Sequence, residues 1–134
     1  MTYRFVEHTA DLMIEVTSMS FEELLRESLL AMMLWTGPEW GDATVTRDFA
    51  IEASDRTMLL VDLLNEALTL SQIHHEAYDR LEFRPTGSVL SIEGSFIGRS
   101  ITGARDEIKA VTCHEASVAQ LADDSWKARF LVDI

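Results

Sequence analysis

From about residue 80 to its end the chain alternates between apolar and polar residues, and this pattern limits the possible folds more than any other feature. Successive side chains of a strand point to opposite faces, so such alternation predicts strands with one buried face. The predicted strand segments are RLEFRP, SVLSIEGSF, EIKAVTCH, ASVAQLA and WKARFLVDI. Gly87 and the run from Asp123 to Ser125 supply turns between them. The segment IGRSITGARDE is expected to be an exposed polar loop.

Two segments in the first half follow the helical period instead. The segment SFEELLRESLLAMMLW has an apolar stripe, and Ser20 stands three residues before Glu23, which is the spacing of a capping box. Gly37 and Pro38 end this helix. A second helix is predicted over residues 56–77.

The second helix also carries a line of polar residues at positions i, i+3, i+4 and i+7. These are Asp62, Asn65, Glu66 and Thr69. A polar line of this kind most often faces solvent, and we favour that interpretation over a docking face.

The remaining segments with strand character are residues 3–8, residues 12–17 and TVTRDFAIEA. Together the elements predict an α+β fold, with a mainly antiparallel sheet and two helices packed on one face. The length of 134 residues suits one domain over residues 1–134.

The charge balance argues against one class of partner. With 23 acidic and 11 basic residues the net charge is −12, and nucleic-acid binding draws most of its affinity from Lys and Arg meeting phosphate. We therefore expect no direct binding to DNA or RNA. An acidic surface suits divalent cations or a basic protein partner, and it also keeps a protein soluble.

The cysteine count and the first residues limit the possible cross-links and the cellular location. The single cysteine, Cys113, excludes internal disulfides and any multi-thiolate metal site within one chain. The opening MTYRFVEHTAD contains no cationic region followed by an apolar run, and no segment approaches the length of a membrane span. The expected location is the cytoplasm, without membrane contact.

Three carboxylates are candidates for a cation site. Asp11 lies in a tight connection between predicted strands, where a carboxylate ordinarily caps main-chain amides. The final strand ends in Asp133 and Ile134, which places a side-chain carboxylate beside the terminal one. If this strand ends near Asp11, the three converge, and a divalent ion would remove their repulsion. Hard oxygen donors favour Ca²⁺ or Mg²⁺ over zinc or copper.

Other reactive side chains have simpler explanations. Lys109 shares a predicted strand face with apolar neighbours, either as an edge lysine or as one held by acids. Cys113 is expected to be a buried, unreactive thiol in a strand, because no positioned base is evident. His8 and His114 flank strands and are expected to be structural.

Four blocks of the sequence, taken together, resemble the archease family. They occur in the family's order and separation and span nearly the whole chain. They are FVEHTAD near the start, LLVDLLNEAL in the second helix, EIKAVTCH in the third quarter and FLVDI at the end. The combination of the first block with the terminal Asp-Ile pair is the most specific feature.

The resemblance implies an accessory protein of tRNA metabolism rather than an enzyme. Members are similar to a chaperone-like cofactor of the RtcB-type tRNA-splicing ligase, which promotes guanylylation of the ligase histidine by GTP and repeated turnover. The family's metal site, assigned to calcium, maps onto Asp11, Asp133 and Ile134. Its functionally important lysine maps onto Lys109. The terminal carboxylate would then itself be a ligand.

One departure and three other functions stay open. Where the family usually has Tyr before the histidine of the third block, this chain has Cys113, so any role of the phenol is lost. Some family members are associated with modulating a tRNA cytosine methyltransferase, and a general chaperone would bind a partner without affecting ligation. A metal-dependent hydrolase would need a general base, which His8 would have to supply.

Overall fold

The computed structural model describes residues 2–7 and 11–134. Over these ranges the chain forms seven strands and two helices, and every strand pairing is antiparallel. In chain order they are β1 (Thr2–Glu7), β2 (Asp11–Ser18), α1 (Phe21–Trp35), β3 (Pro38–Glu52), α2 (Arg56–His74), β4 (Glu76–Arg84), β5 (Ser91–Ala104), β6 (Ala110–Gln120) and β7 (Trp126–Asp133). The predicted α+β class is confirmed.

The strands divide into two sheets, a feature that the sequence pattern did not reveal. One sheet has the order β1-β2-β7-β6 and the other the order β3-β5-β4. Helix α1 contacts β2 and β4, one strand from each sheet, and α2 contacts β6, β3 and β4. One continuous cluster of buried residues includes members of both helices and both sheets. The helices therefore join the two sheets around a shared core.

Helix α1 begins at its predicted Ser20 cap and ends before Gly37 as predicted, but the hydrogen bonds of the described residues contain only the Ser20 half of the predicted capping box. The Ser20 hydroxyl accepts a hydrogen bond from the Glu23 amide at 3.1 Å, which satisfies one of the free amides of the first turn. The Glu23 carboxylate accepts a bond from Arg26 at 3.0 Å. Gly37 adopts a φ of 63°, a left-handed conformation that glycine accepts readily, and the chain turns there into β3.

Helix α2 is three residues shorter than predicted. Asp55 caps it, with its carboxylate accepting from the Met58 amide at 2.8 Å. His75 is left-handed, with φ 56° and ψ 56°, which ends the helix and lets Glu76 begin β4 directly. Neither helix of the described ranges combines the length and apolarity needed to cross a membrane.

The prediction of an exposed loop over IGRSITGARDE is wrong for most of its length. Residues up to Ala104 continue β5, which is the central strand of its sheet and pairs with β3 and β4 on either side. A Cβ at Gly98 would lie 1.9 Å from the Ala77 carbonyl oxygen. The glycine thus allows the close approach of β4, while polar residues of this segment lie on partly exposed positions.

Strand β6 replaces two predicted strands. It runs from Ala110 to Gln120 as one element, with a register jump between Thr112 and Ser117. Lys109 precedes the strand, so the prediction that it shares a strand face with apolar neighbours is wrong. Glu115 lies within this irregularity at a φ of 58°. Cys113 also lies there and is exposed, so the expectation of a buried thiol is wrong: the irregularity carries it out of the regular pairing.

The outer edge of β6 is closed by side chains of α2. Asn65 donates to the Val111 carbonyl at 2.8 Å and accepts from the Val111 amide at 2.9 Å. The Thr57 hydroxyl accepts from the Val118 amide at 3.1 Å. Asn65 is therefore a docking residue, and the interpretation of its polar line as a solvated face is wrong at this position.

Candidate functional site

Strand register brings Asp11 and Asp133 together. In the antiparallel pair of β2 and β7, Asp11 is the partner of Asp133, just as Leu12 is the partner of Val132. Directly opposed residues have Cβ atoms about 4.5–5.5 Å apart and project from the same face of the sheet. The two carboxylates therefore start from neighbouring positions, and Ile134 follows directly.

These residues stand on the face of the four-stranded sheet that points away from the helices, which we call the outer face. The alternate residues of β2, Leu12, Ile14 and Val16, belong to the core on the other side. Asp11 and Asp133 are half-buried, and Ile134 is 40% exposed. An ion from solvent can therefore reach the pair.

Two further rows of side chains define the surroundings of the acidic pair on the outer face. The next row contains Met13 and Leu131, partners across β2 and β7 that are 1% and 2% exposed. In the row beyond, Glu15 accepts a hydrogen bond from Arg4 at 2.6 Å and lies 3.4 Å from Arg129. Glu15 thus engages both arginines, and the hydrogen bond from Arg4 is the main cause of its lowered pKa.

Asp11 and Asp133 form no ion pair with any residue of the described ranges. Two carboxylates that lie side by side repel each other unless a cation neutralises them. Such a pair favours a bound cation.

Lys109 lies at the same end of the sheet. Its main-chain amide donates to the Asp133 carbonyl at 2.7 Å, and the next residue, Ala110, is the β6 partner of Asp133. The Lys109 side chain is exposed. The structure therefore fixes the main chain of Lys109 next to Asp133, and leaves its side chain exposed to solvent.

A second contact from α2 holds the segment that leads into β6. The Gln72 side chain donates to the Ile108 carbonyl at 2.9 Å, and Ile108 is 1% exposed. Asn65 and Gln72 are seven residues apart, two helical turns, and both bond to main chain within residues 108–111. Sequence reasoning missed these positioning residues, although polar side chains at i and i+7 on one helix face were the available signal.

The donor set fits a hard divalent cation. Within the described ranges, no group of three His, Cys, Asp or Glu side chains could hold a metal ion, so the two carboxylates need a further donor. A calcium ion would take such further donors from main-chain carbonyls, water or another carboxylate. The ligand roles of Asp11, Asp133 and Ile134 stay a prediction, and His8 lies outside the described residues.

Comparison with known proteins identifies the family. The sequence model described as the Archease protein family matches residues 3–134. The chain belongs to the archease family. This confirms the resemblance that the four sequence blocks carry.

Related proteins cover almost the whole chain. The protein named archease from Methanosarcina barkeri is 29% identical over 142 residues, covering 98% of this chain and 95% of that protein. The archease of Thermococcus kodakarensis is 24% identical, covering 96% and 95%.

Two solved structures share the fold. The solution structure of protein 1598 from Methanobacterium thermoautotrophicum has a TM-score of 0.75 at 25% identity, with 98% of both chains covered. A crystal structure from Thermotoga maritima, described as an archease and possible chaperone, has a TM-score of 0.69 at 24% identity and covers 96% of this chain and 94% of that one. The two-sheet arrangement is therefore that of archease structures.

Proposed function

We propose that this protein is a non-enzymatic activator of an RtcB-type tRNA-splicing ligase, promoting guanylylation of the ligase histidine and multiple turnover. The observation that carries the proposal is the convergence of Asp11, Asp133 and Lys109 at one end of one sheet. Two carboxylates on paired strands, with Lys109 directly before the adjoining strand β6, form a polar end suited to contact with a partner's reactive groups. Chaperone-like behaviour follows the description of a structural relative.

The proposed cation site consists of Asp11, Asp133 and the terminal carboxylate of Ile134, with calcium as the preferred ion. A bound divalent ion would neutralise the acidic pair and fix the orientation of both carboxylates. Calcium tolerates irregular geometry and accepts main-chain carbonyls and water as ligands, which suits a site built at strand ends.

The chemistry belongs to the ligase, and this protein contributes positioning. The rigid strands present the carboxylates and Lys109 toward the ligase's nucleotide and metal site, where they would order the GTP phosphates for attack by the ligase histidine. A net charge of −12 favours association with an enzyme whose RNA-binding surface is basic, mainly through the association rate.

Guanylylation of the ligase encoded by the same organism, measured with and without this protein, tests the proposal. We expect wild-type protein to stimulate the reaction, and Asp11→Asn and Lys109→Ala to reduce stimulation. Asp42→Asn is the matched control, since Asp42 is an exposed carboxylate on β3 outside the acidic pair. A wild-type protein that binds the ligase without stimulating it would refute activation and favour the methyltransferase or general-chaperone alternative.

The ligand assignment has its own test. Calorimetric calcium titration should show affinity reduced about tenfold or more in Asp11→Asn, because calcium affinity follows the number of charged ligands. Two residues added after Ile134 should weaken affinity by moving the terminal carboxylate away. Unchanged affinity in the extended protein would exclude the terminal ligand while leaving the side-chain pair in place.

A further inference from the structure

A cavity lies where the ends of both helices meet the end of β5. Its volume is about 480 Å³, and its wall includes the segment from Arg105 to Ile108. Sites for small organic ligands usually measure about 300–1,000 Å³. The cavity is therefore large enough for a molecule of roughly the size of an aromatic amine.

The floor of the cavity is apolar and well packed. Met32, Met33, Leu68 and Ala77 line it, and each is at most 6% exposed. The rim is polar and includes His75 and Glu107, which are exposed. A ligand that fits this shape has an apolar body and one polar end.

The charges around the rim favour a positive ligand. The C-terminal ends of α1 and α2, which carry partial negative charge, both contribute to the lining. The last turn of α1 contains no basic residue, and that of α2 contains His74. Arg105 is already engaged, because it donates to Asp106 at 2.7 Å and to the Trp35 carbonyl at 2.9 Å.

Besides His75, which counts as neutral in the formal charge at pH 7, Glu107 is the remaining ionisable side chain at the rim. Across residues 2–7 and 11–134 its carboxylate makes no ion pair. With Arg105 and Asp106 neutralising each other, the rim carries a net negative charge from Glu107 in addition to the two helix ends. An anion would meet this charge and the −12 of the whole protein.

We propose that this cavity binds a small organic amine, with the apolar body on the methionine floor and the ammonium at the rim beside Glu107. The inference is independent of the proposed ligase activation. It also has a structural consequence for the candidate site, since the cavity wall continues from Ile108 directly into Lys109, whose amide bonds to Asp133. An occupant of the cavity would contact the segment that positions the lysine.

Two probes that share an indole body and carry opposite charges test the proposal, tryptamine and indole-3-acetate. Titration into ¹⁵N-labelled full-length protein is followed by amide chemical shifts. We expect saturable shifts confined to the cavity lining and its flanks, residues 32–36, 68–77 and 101–109. We expect an affinity for tryptamine about tenfold higher than for the anion, because one carboxylate and two helix ends favour the cation. Equal affinities, or shifts spread over other surfaces, would overturn the inference.

Matched variants locate the site. Ala104→Trp should fill the cavity mouth and abolish tryptamine binding, whereas Ala50→Trp, at an exposed position on β3, should not. Glu107→Gln, an exposed change that leaves the core untouched, should reduce the preference for the cation about threefold. Glu52→Gln is its control. Tryptamine affinity unchanged in both cavity variants would also overturn the proposal.

Discussion

Replacing Arg47 by methionine would break a buried ion pair in the three-stranded sheet. The Arg47 guanidinium donates two hydrogen bonds to the Glu76 carboxylate, at 2.9 and 2.7 Å. The Tyr78 hydroxyl donates a third at 2.9 Å. Glu76 and Tyr78 are 4% and 0% exposed, so loss of the guanidinium leaves a carboxylate that water barely reaches.

The magnitude follows from this geometry. Removing one partner of a buried pair costs about 3–5 kcal/mol, because the other charge stays desolvated. The Arg47 side chain is 36% exposed, so solvent already screens part of the interaction. We therefore expect Arg47→Met to lower the free energy of unfolding by about 2–3 kcal/mol. For a chain of this length that corresponds to a fall in Tm of about 6–12 °C.

The loss should depend on pH with a defined sign. The hydrogen bond from Arg47 lowers the pKa of Glu76, against the opposing effect of burial. A carboxyl group whose pKa is lower in the folded state contributes stability above its unfolded pKa, about 4.3, and loses it as the pH falls through the folded value. The difference between wild type and Arg47→Met should therefore be largest near neutral pH and shrink as the pH falls toward and below about 4.5, because the unpaired buried carboxyl of the variant takes up a proton more readily.

Urea unfolding followed by circular dichroism, at pH 7 and at several values below 4.5, measures this difference. Arg84→Met is the control, since Arg84 lies 3.6 Å from Asp48 in a pair whose side chains are 53% and 76% exposed. An exposed pair of this kind contributes at most about 0.5–1 kcal/mol. Equal losses in the two variants, or a loss in Arg47→Met that does not change with pH, would refute the reasoning.

Three other substitutions probe separate parts of the fold. Burial, and next the charge of Glu23, raise the pKa of Glu27, so Glu27→Gln should stabilise the protein at pH 7 and have little effect at pH 3, the opposite pH dependence to Glu76. Gly98→Ala should cost about 3 kcal/mol or more in urea unfolding, because the new Cβ overlaps the β4 main chain. Asn65→Ala should cost about 2 kcal/mol and speed hydrogen exchange of the Val111 amide, which loses its side-chain acceptor.

A different result in each experiment would contradict the explanation given for it. Gly87→Ala is the control for Gly98, since a Cβ at Gly87 meets no atom within 4 Å, and equal effects at both glycines would contradict the packing explanation. A Glu27→Gln variant that is less stable at pH 7 would show that the carboxylate is stabilised by a partner. Unchanged exchange at Val111 in Asn65→Ala would show that the helix does not protect the edge of β6.

Short stretches of sequence predicted the helix caps, turns and strands whose structure depends on neighbouring residues. Ser20 and Asp123 each accept hydrogen bonds from amides a few residues along the chain, so their roles can be seen in a short stretch of sequence. The alternation of WKARFLVDI likewise reflects one strand with one buried face. The α+β class follows from such signals without knowledge of which strands pair.

Features that depend on long-range pairing could not be predicted in the same way. The polar segment after Ile97 looks like a loop because its own residues do not require burial, and it becomes a strand because β3 and β4 flank it. The division into two sheets has the same origin. Alternation reports which residues share a face, but it does not report which strand lies next to which.

The candidate site depends on both kinds of information. Its carboxylates meet because β2 and β7 pair in a register that places Asp11 opposite Asp133, and a shift of one residue would turn one carboxylate to the other face of the sheet. Lys109 joins them only because β6 docks on β7 and α2 holds the approach to β6 through Gln72. The site is thus fixed by the pairing of three strands and by one helix contact. Replacing Gln72 by alanine should displace the lysine while leaving the carboxylate pair intact.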